Sequence, residues 1–219
     1  MIDCIILSFA RSKDLHRMTQ RAVNSLVADF DGSTIYVVET KPEAEPYKSA
    51  QTIYPRHEFN YNQFMKIGIQ SGSNPYVFML NNDIICHKGC QKELIKYLDV
   101  YASVSPRNPL MPQHKHLDAV NEGMNIWHGK AELCGWAIMI KRDTLNMIGL
   151  DTLFPSQFKF WYQDNVYAEV LKQRGLKHAL ISSAKLDHLE SKTLNGQPNK
   201  DELTHDQKEL YDNWLESLE

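Results

Sequence analysis

Asn81, Asn82 and Asp83 stand side by side at the end of an apolar run, Tyr76 to Leu80, and put three oxygen-bearing side chains in a row. A strand cannot bury three such groups without partners, so they are expected just beyond a sheet edge. In open α/β sheets ligands bind at that edge, outside the carboxyl ends of the strands. Two oxygens from one short turn, those of Asn81 and Asp83, suit a hard divalent cation, which would in turn neutralise a diphosphate. Taken alone, the tripeptide reads more simply as an Asx-rich turn. Asp164, near the start of a helical pattern, has helix capping as its plainest role on spacing alone. Glu39 ends a second apolar run, where an acidic residue either accepts hydrogen bonds from a ribose or is a solvated strand end.

These residues need elements to position them. The run Ile2 to Phe9 reads as a buried strand. Ser12 then caps a helix expected over Lys13 to Ala28, with Leu15, Met18, Ala22, Val23, Leu26 and Val27 at helical spacing. Asp31-Gly32 turns the chain into a second strand, Ser33 to Glu39. Strand, helix and strand in that order imply a parallel βαβ unit. Thr40 to Ser49 reads as a loop and Gln51 to Tyr54 as a short strand. Asn60 or Asn62 caps a helix ended by Gly72. Tyr76 to Leu80 is apolar throughout, as a strand buried on both faces requires. Lys88 to Tyr97 reads as a helix and Val100 to Val104 as a strand. Pro106 to Lys130 lacks periodicity and reads as an acceptor-side loop, with His114 and His116 as a surface basic pair. Leu133 to Ile140 is a further strand and Arg142 to Gly149 a helix closed by glycine. Leu150 to Phe160 is a loop, and Trp161 to Gly175 carries another helix. Leu176 to Ser182 is the last strand expected. Glu202 to Leu218 is an amphipathic helix that either docks on the domain or pairs with a second subunit.

The 219 residues fit one domain with a modest appendage. We expect a domain over 1–194, with a nucleotide-binding half to about residue 100 and an acceptor half beyond it, then a tail over 195–219. A net charge of −3 gives no general attraction to nucleic acid or anionic membranes. Cys86 and Cys90 have no second pair with which to form a zinc knuckle, so reduced thiols and a cytoplasmic setting are expected. Met1 to Phe9 is too short for a signal peptide and lacks a basic start. No apolar run approaches a membrane span, so no integral membrane contact is expected.

Five segments, in order, resemble glycosyltransferases of the GT-A fold, family 2 type. Phe59-Asn-Tyr-Asn resembles the opening of the second helix in these enzymes, and Tyr76 to Ile84 resembles their metal-motif strand. Gly135 to Gly149 resembles the segment before the catalytic helix, and Phe160 to Gly175 resembles that helix. His188 with Ser191 resembles a late element. The resemblance implies an α/β, Rossmann-like fold with a mixed, mostly parallel sheet flanked by helices. It implies an inverting transferase acting on a nucleotide-sugar donor, UDP-sugars being favoured. Mn2+ or Mg2+ would be held by Asp83, Asn81 and His188, and Asp164 would be the general base at an ordinary carboxylate pKa. Donor contacts would come from Ser8, Arg11, Glu39, Asn60, Asn81 and Asn82, and Trp136 would stack on a ring. The chain departs from the pattern at Asn81, Gln163, Asn165 to Tyr167, and Met65-Lys66.

A non-catalytic relative that binds sugar nucleotides is the alternative. Nucleotidyl transfer would need a glycine-rich, lysine-bearing first loop that this sequence lacks. The acceptor is expected to be a glycan, a protein or a hydroxylated base in phage DNA. For DNA, a basic surface from Arg107, Lys115, Lys130, Lys141 and Arg142 would be required.

Overall fold

A computed structural model describes residues 1–189 and 200–218. Its centre is a mixed nine-stranded sheet flanked by helices on both faces, and the longer ladders are parallel. The strand β1 (Ile2–Ser8) lies between β2 (Ser33–Glu39) and β4 (Tyr76–Leu80), parallel to both. The short β3 (Gln51–Ile53) extends the sheet beyond β2. On the other side of β4 the order continues through β8 (Ala137–Lys141), β6 (Ser103–Arg107), β9 (His178–His188) and β5 (Ile84–Cys86), and β7 (Val120–Glu122) also pairs with β9. β8 runs antiparallel to both β4 and β6.

The central strands are apolar on both sides because both faces are covered. On one face α1 (Lys13–Asp29) and α3 (Cys90–Ile95) bring Ala22, Val23, Leu26 and Leu94 against Cys4, Ile6 and Phe78. On the other, α2 (Tyr61–Gln70), α4 (Arg142–Ile148), α5 (Leu150–Leu153) and α6 (Gln163–Gln173) bury Met65, Ile69, Leu145, Val166 and Leu171 against Ile5, Val77, Met79 and Ile138. A Cβ on Gly68 would lie 2.3 Å from Ile5 Cγ2, so glycine is what lets α2 approach β1 so closely. At the amino end of the sheet, buried Asp3 accepts from Arg142 Nη2 at 2.7 Å and from Asn74.

The expected βαβ unit and its helix caps are present: Ser12 Oγ accepts from Leu15 N, and Gly149 at φ 94° ends α4. Three expectations need correction. The last strand runs to His188 rather than stopping at Ser182, because β6 and β7 pair with its first part and β5 with its end, across a shift in register at Ser182 and Ser183. The loop from Pro106 contains a turn of 3-10 helix, Pro112–His114, and β7. His114 is not a surface residue; it is fully buried, with Nδ1 accepting from Asn108 N and Nε2 facing Ala131 O, and its imidazole ties the loop together.

The final helix, α7 (Lys200–Glu216), docks on its own domain. Tyr211 stacks on Tyr162 with centroids 5.1 Å apart, Phe158 meets Tyr211 and Trp214 edge-on, and Gln207 Oε1 accepts from Lys159 N. The aromatic face that could have met a second subunit is therefore occupied within the chain. No helix among the described residues is long and apolar enough to cross a membrane.

Candidate active site

The chain crosses from one side of β1 to the other between β3 and β4, so the carboxyl ends of β1 and β4 form a switch point where a crevice opens. A cavity of about 770 Å³ lies there, a size in the ordinary range for ligand sites. Ser8, Asn81, Asn82, Asp83, Gly135, Trp136, Asp164 and His188 all line it.

Residues distant in the chain meet in this cavity for simple reasons of register. Asn81 to Asp83 link β4 to β5, and Ile84 of β5 stands opposite His188 of β9. Leu189 N also donates to Asp83 O at 2.9 Å. His188 Nε2 consequently lies 3.2 Å from Asp83 Oδ1 and 3.3 Å from Asn81 Nδ2. Asp83 is 3% exposed, and its Oδ1 has no hydrogen bond of good geometry even though His188 is near. A buried carboxylate oxygen left in that state is costly. Asp83 Oδ1 and His188 Nε2 are atoms of the kind that ligate a divalent cation, whereas Asn81 turns its amide Nδ2 to His188, and among the described residues no three His, Cys, Asp or Glu side chains stand together as a ligand set. Ser191, expected to follow His188, lies outside the described residues.

Gly135 and Trp136, at the entry to β8, join the two halves of the site. Trp136 O accepts from Asn81 N at 2.9 Å, and the indole stacks on His188 at 5.2 Å, so one of its faces is already used. A Cβ on Gly135 would lie 2.8 Å from Asp164 Oδ2, so a larger residue would displace that carboxylate. Asp164 and His188 thus flank adjacent residues, whose Cα atoms are about 3.8 Å apart. Asp164 stands in the first turn of α6, after the N-cap residue Tyr162, and its Oδ1 accepts from the first-turn N–H of Asn165 at 3.0 Å, as a carboxylate at a helix start can. Burial pushes the Asp164 pKa above its ordinary value, where an unperturbed carboxylate was expected.

Several expected donor contacts prove to be structural. Glu39 is 1% exposed, and its carboxylate accepts from Ala10 N, Lys41 N and Tyr47 Oη, the last at 2.7 Å. Neither a nucleoside contact nor a solvated strand end describes it. Asn60 spends its side chain capping α2 through Gln63 N and donating to Ser156 O. Asn82 donates to Thr19 Oγ1 at 3.1 Å, and Ser8 Oγ lies between Thr19 Oγ1 and Tyr47 Oη. Ser8 and Asn82 still line the cavity, whereas Arg11, whose guanidinium lies over the Phe9 ring, does not. The basic surface expected for DNA is not assembled. Lys130 pairs with Asp118, Lys141 pairs with Asp99, and Arg142 is held on Asp3 at the opposite end of the sheet.

Sequence reasoning missed the buried side chains Tyr47 and Thr19, which link Glu39, Ser8 and Asn82 behind the site. It also missed the aromatic wall of Phe59, Phe160, Trp161 and Tyr162. The crowding of aromatics over Phe158 to Tyr162 was its one available signal.

Comparison with protein-family models gives no match, and comparison with curated proteins gives none.

Proposed function

We propose that the chain is an inverting glycosyltransferase of the GT-A kind that moves a sugar from a nucleotide-sugar donor, a UDP-sugar first, to an acceptor hydroxyl. One observation carries this reading: the unsatisfied, buried Asp83 oxygen beside His188 and Asn81 shares a switch-point cavity with the ionisable Asp164. Asn81, Asp83 and His188 would hold Mn2+ or Mg2+. When bound there, the cation supplies positive charge to the departing nucleoside diphosphate.

The chain's own residues do the remaining work. Asp164 accepts the proton of the acceptor hydroxyl as its oxygen bonds to the anomeric carbon, while the carbon–oxygen bond to the diphosphate breaks on the far side. A single displacement of this kind inverts the anomeric configuration. Burial raises the basicity of Asp164, and no side-chain cation among the described residues pairs with it. Trp136 fixes the plane of His188 by stacking, and its carbonyl fixes Asn81.

The test is nucleotide release with and without Mn2+: a nucleoside diphosphate from UDP-, GDP- and dTDP-sugars, and CMP from CMP-sugars. One donor should be cleaved slowly, only with metal, and Asp83→Ala should abolish cleavage. No release and no calorimetric binding of any donor would replace this reading with a non-catalytic one. Pyrophosphate as product would indicate nucleotidyl transfer.

A further inference from the structure

The part of the cavity around Asp164 differs in chemistry from the part around Asp83. We propose that it receives an acceptor hydroxyl carried on a flat, uncharged aromatic framework, such as a phenol, rather than one on a glycan or nucleic acid. This assignment rests on the transferase reading of the same site.

Phe59, Phe160, Trp161, Tyr162, Ile126 and Trp127 line the cavity, and Trp161 and Tyr162 are near neighbours of Asp164 along the chain. The rings of Phe59 and Phe160 lie 5.3 Å apart, and Tyr162 is held from behind by Tyr211. Trp127 is 69% exposed yet lines the cavity, which places an indole at its solvent side. Such rings offer faces and edges to another ring at favourable geometry. Among the described lining residues the carboxylates are Asp83 and Asp164, and there is no lysine or arginine. An anionic acceptor would meet like charge, and a nucleic-acid backbone would lack the cations its phosphates require.

A polyol fits poorly for a different reason. Each sugar hydroxyl taken from water needs a hydrogen-bond partner, or its desolvation is uncompensated. Gln163 already spends its Nε2 on Leu153 O. Of the lining side chains, Thr40 Oγ1 and Gln163 Oε1 are buried without partners, which serves one or two polar groups on a ligand and fewer than a ring of hydroxyls needs. A phenol needs only its one hydroxyl paired, and Asp164 is there to accept that proton.

The probe is 4-methylumbelliferone, a flat compound with one hydroxyl. It is to be compared by calorimetry with methyl glucoside and with a short duplex bearing 5-hydroxymethylcytosine, each on the full chain with Mn2+. Umbelliferone should bind at least about tenfold more tightly than methyl glucoside and should stimulate nucleoside diphosphate release. Trp127→Ala, at an exposed position, should weaken umbelliferone about tenfold while leaving the donor KM unchanged. Glucoside or duplex binding as tight as umbelliferone, or stimulating release as well, would overturn the assignment. Donor cleavage without umbelliferone binding overturns it too and leaves the transferase reading standing. Umbelliferone bound with no donor bound or cleaved overturns the transferase reading, and the acceptor role with it.

Discussion

At Asp164, stability and turnover pull in opposite directions. Desolvation raises its pKa above the ordinary 3.8, so the folded chain binds that proton more tightly than the unfolded chain does. Below 3.8 both states are protonated, and the buried neutral acid costs little. As pH rises through the raised folded value, the carboxylate must ionise in place and stability is lost. Asp164→Asn removes that charge at nearly constant shape, so melting by fluorimetry at pH 7 should show a higher Tm. The gain should vanish below about pH 3.8. Donor-to-acceptor transfer by the same variant should fall by about 10²–10⁴. A lower Tm at pH 7 would mean that the ionised carboxylate is stabilised in the fold, contrary to the base role. Asn81 and Asp83 could be singled out by residue type and order, whereas Asp164 as a base and His188 were marked only by the family resemblance. Glu39 and Asn60 misled because type and position do not reveal which lone pairs and donors the backbone has already taken, and both side chains are spent within the fold.

Among the elements, the segment from Phe154 to Tyr162 and helix α7 act together. The segment supplies much of the aromatic wall but has little regular structure of its own; its Phe158 and Tyr162 rings are braced by Tyr211 and Trp214 of α7, and its backbone N–H groups at Lys159 and Phe160 by Gln207. Tyr211→Ala would remove the ring stacked on Tyr162 and edge-on to Phe158. The chain should lose about 1–3 kcal/mol in denaturant unfolding, since Tyr211 is only half-buried. Acceptor KM should rise with donor KM unchanged, because Asp83 and His188 are held by β5 and β9 instead. An equal rise in both constants would show that α7 supports the whole cavity and not one wall. The amphipathic pattern announced α7, but periodicity identifies a face without identifying what covers it. The under-read length of β9 has a related cause. Ser182, Ser183 and Asp187 break the apolar run; Asp187 stands opposite Ile85 of β5, while at a shift in register Ser182 N donates to Ala119 O and Ser183 Oγ to Glu93 Oε1, all partners from elsewhere in the chain.

Over the whole molecule, the parallel β1–β2 pair could be read from local order, because strand, helix and strand follow one another, whereas the place of β4 on the far side of β1 could not. The insertion of antiparallel β8 between β4 and β6 could not, since a strand's own residues do not name its neighbours. That insertion matters for acid stability, because it carries the chain from Glu132 and Cys134 beneath the site into a region that buries two imidazoles. His178 is fully buried, with Nε2 donating to Glu132 O at 3.1 Å and Nδ1 2.7 Å from Ser103 Oγ, a pair of contacts that a neutral ring satisfies with Ser103 as donor. Burial lowers its pKa from 6.5 to about 4, and burial also lowers that of His114. Between those limits the unfolded chain binds protons that the folded chain does not, so stability must fall as pH falls. At about 1.4 kcal/mol per unit, His178 alone costs on the order of 3 kcal/mol by pH 4. Asp164 acts in the opposite sense as it takes up its proton, so the slope is steepest where the histidines titrate first. Urea unfolding at half-unit steps from pH 7 to pH 4.5 should show that decline. His178→Gln, which keeps a donor for Glu132 O, should start less stable at pH 7 and decline less steeply. If wild type and variant decline in parallel, His178 is already charged in the fold and the neutral-ring assignment fails.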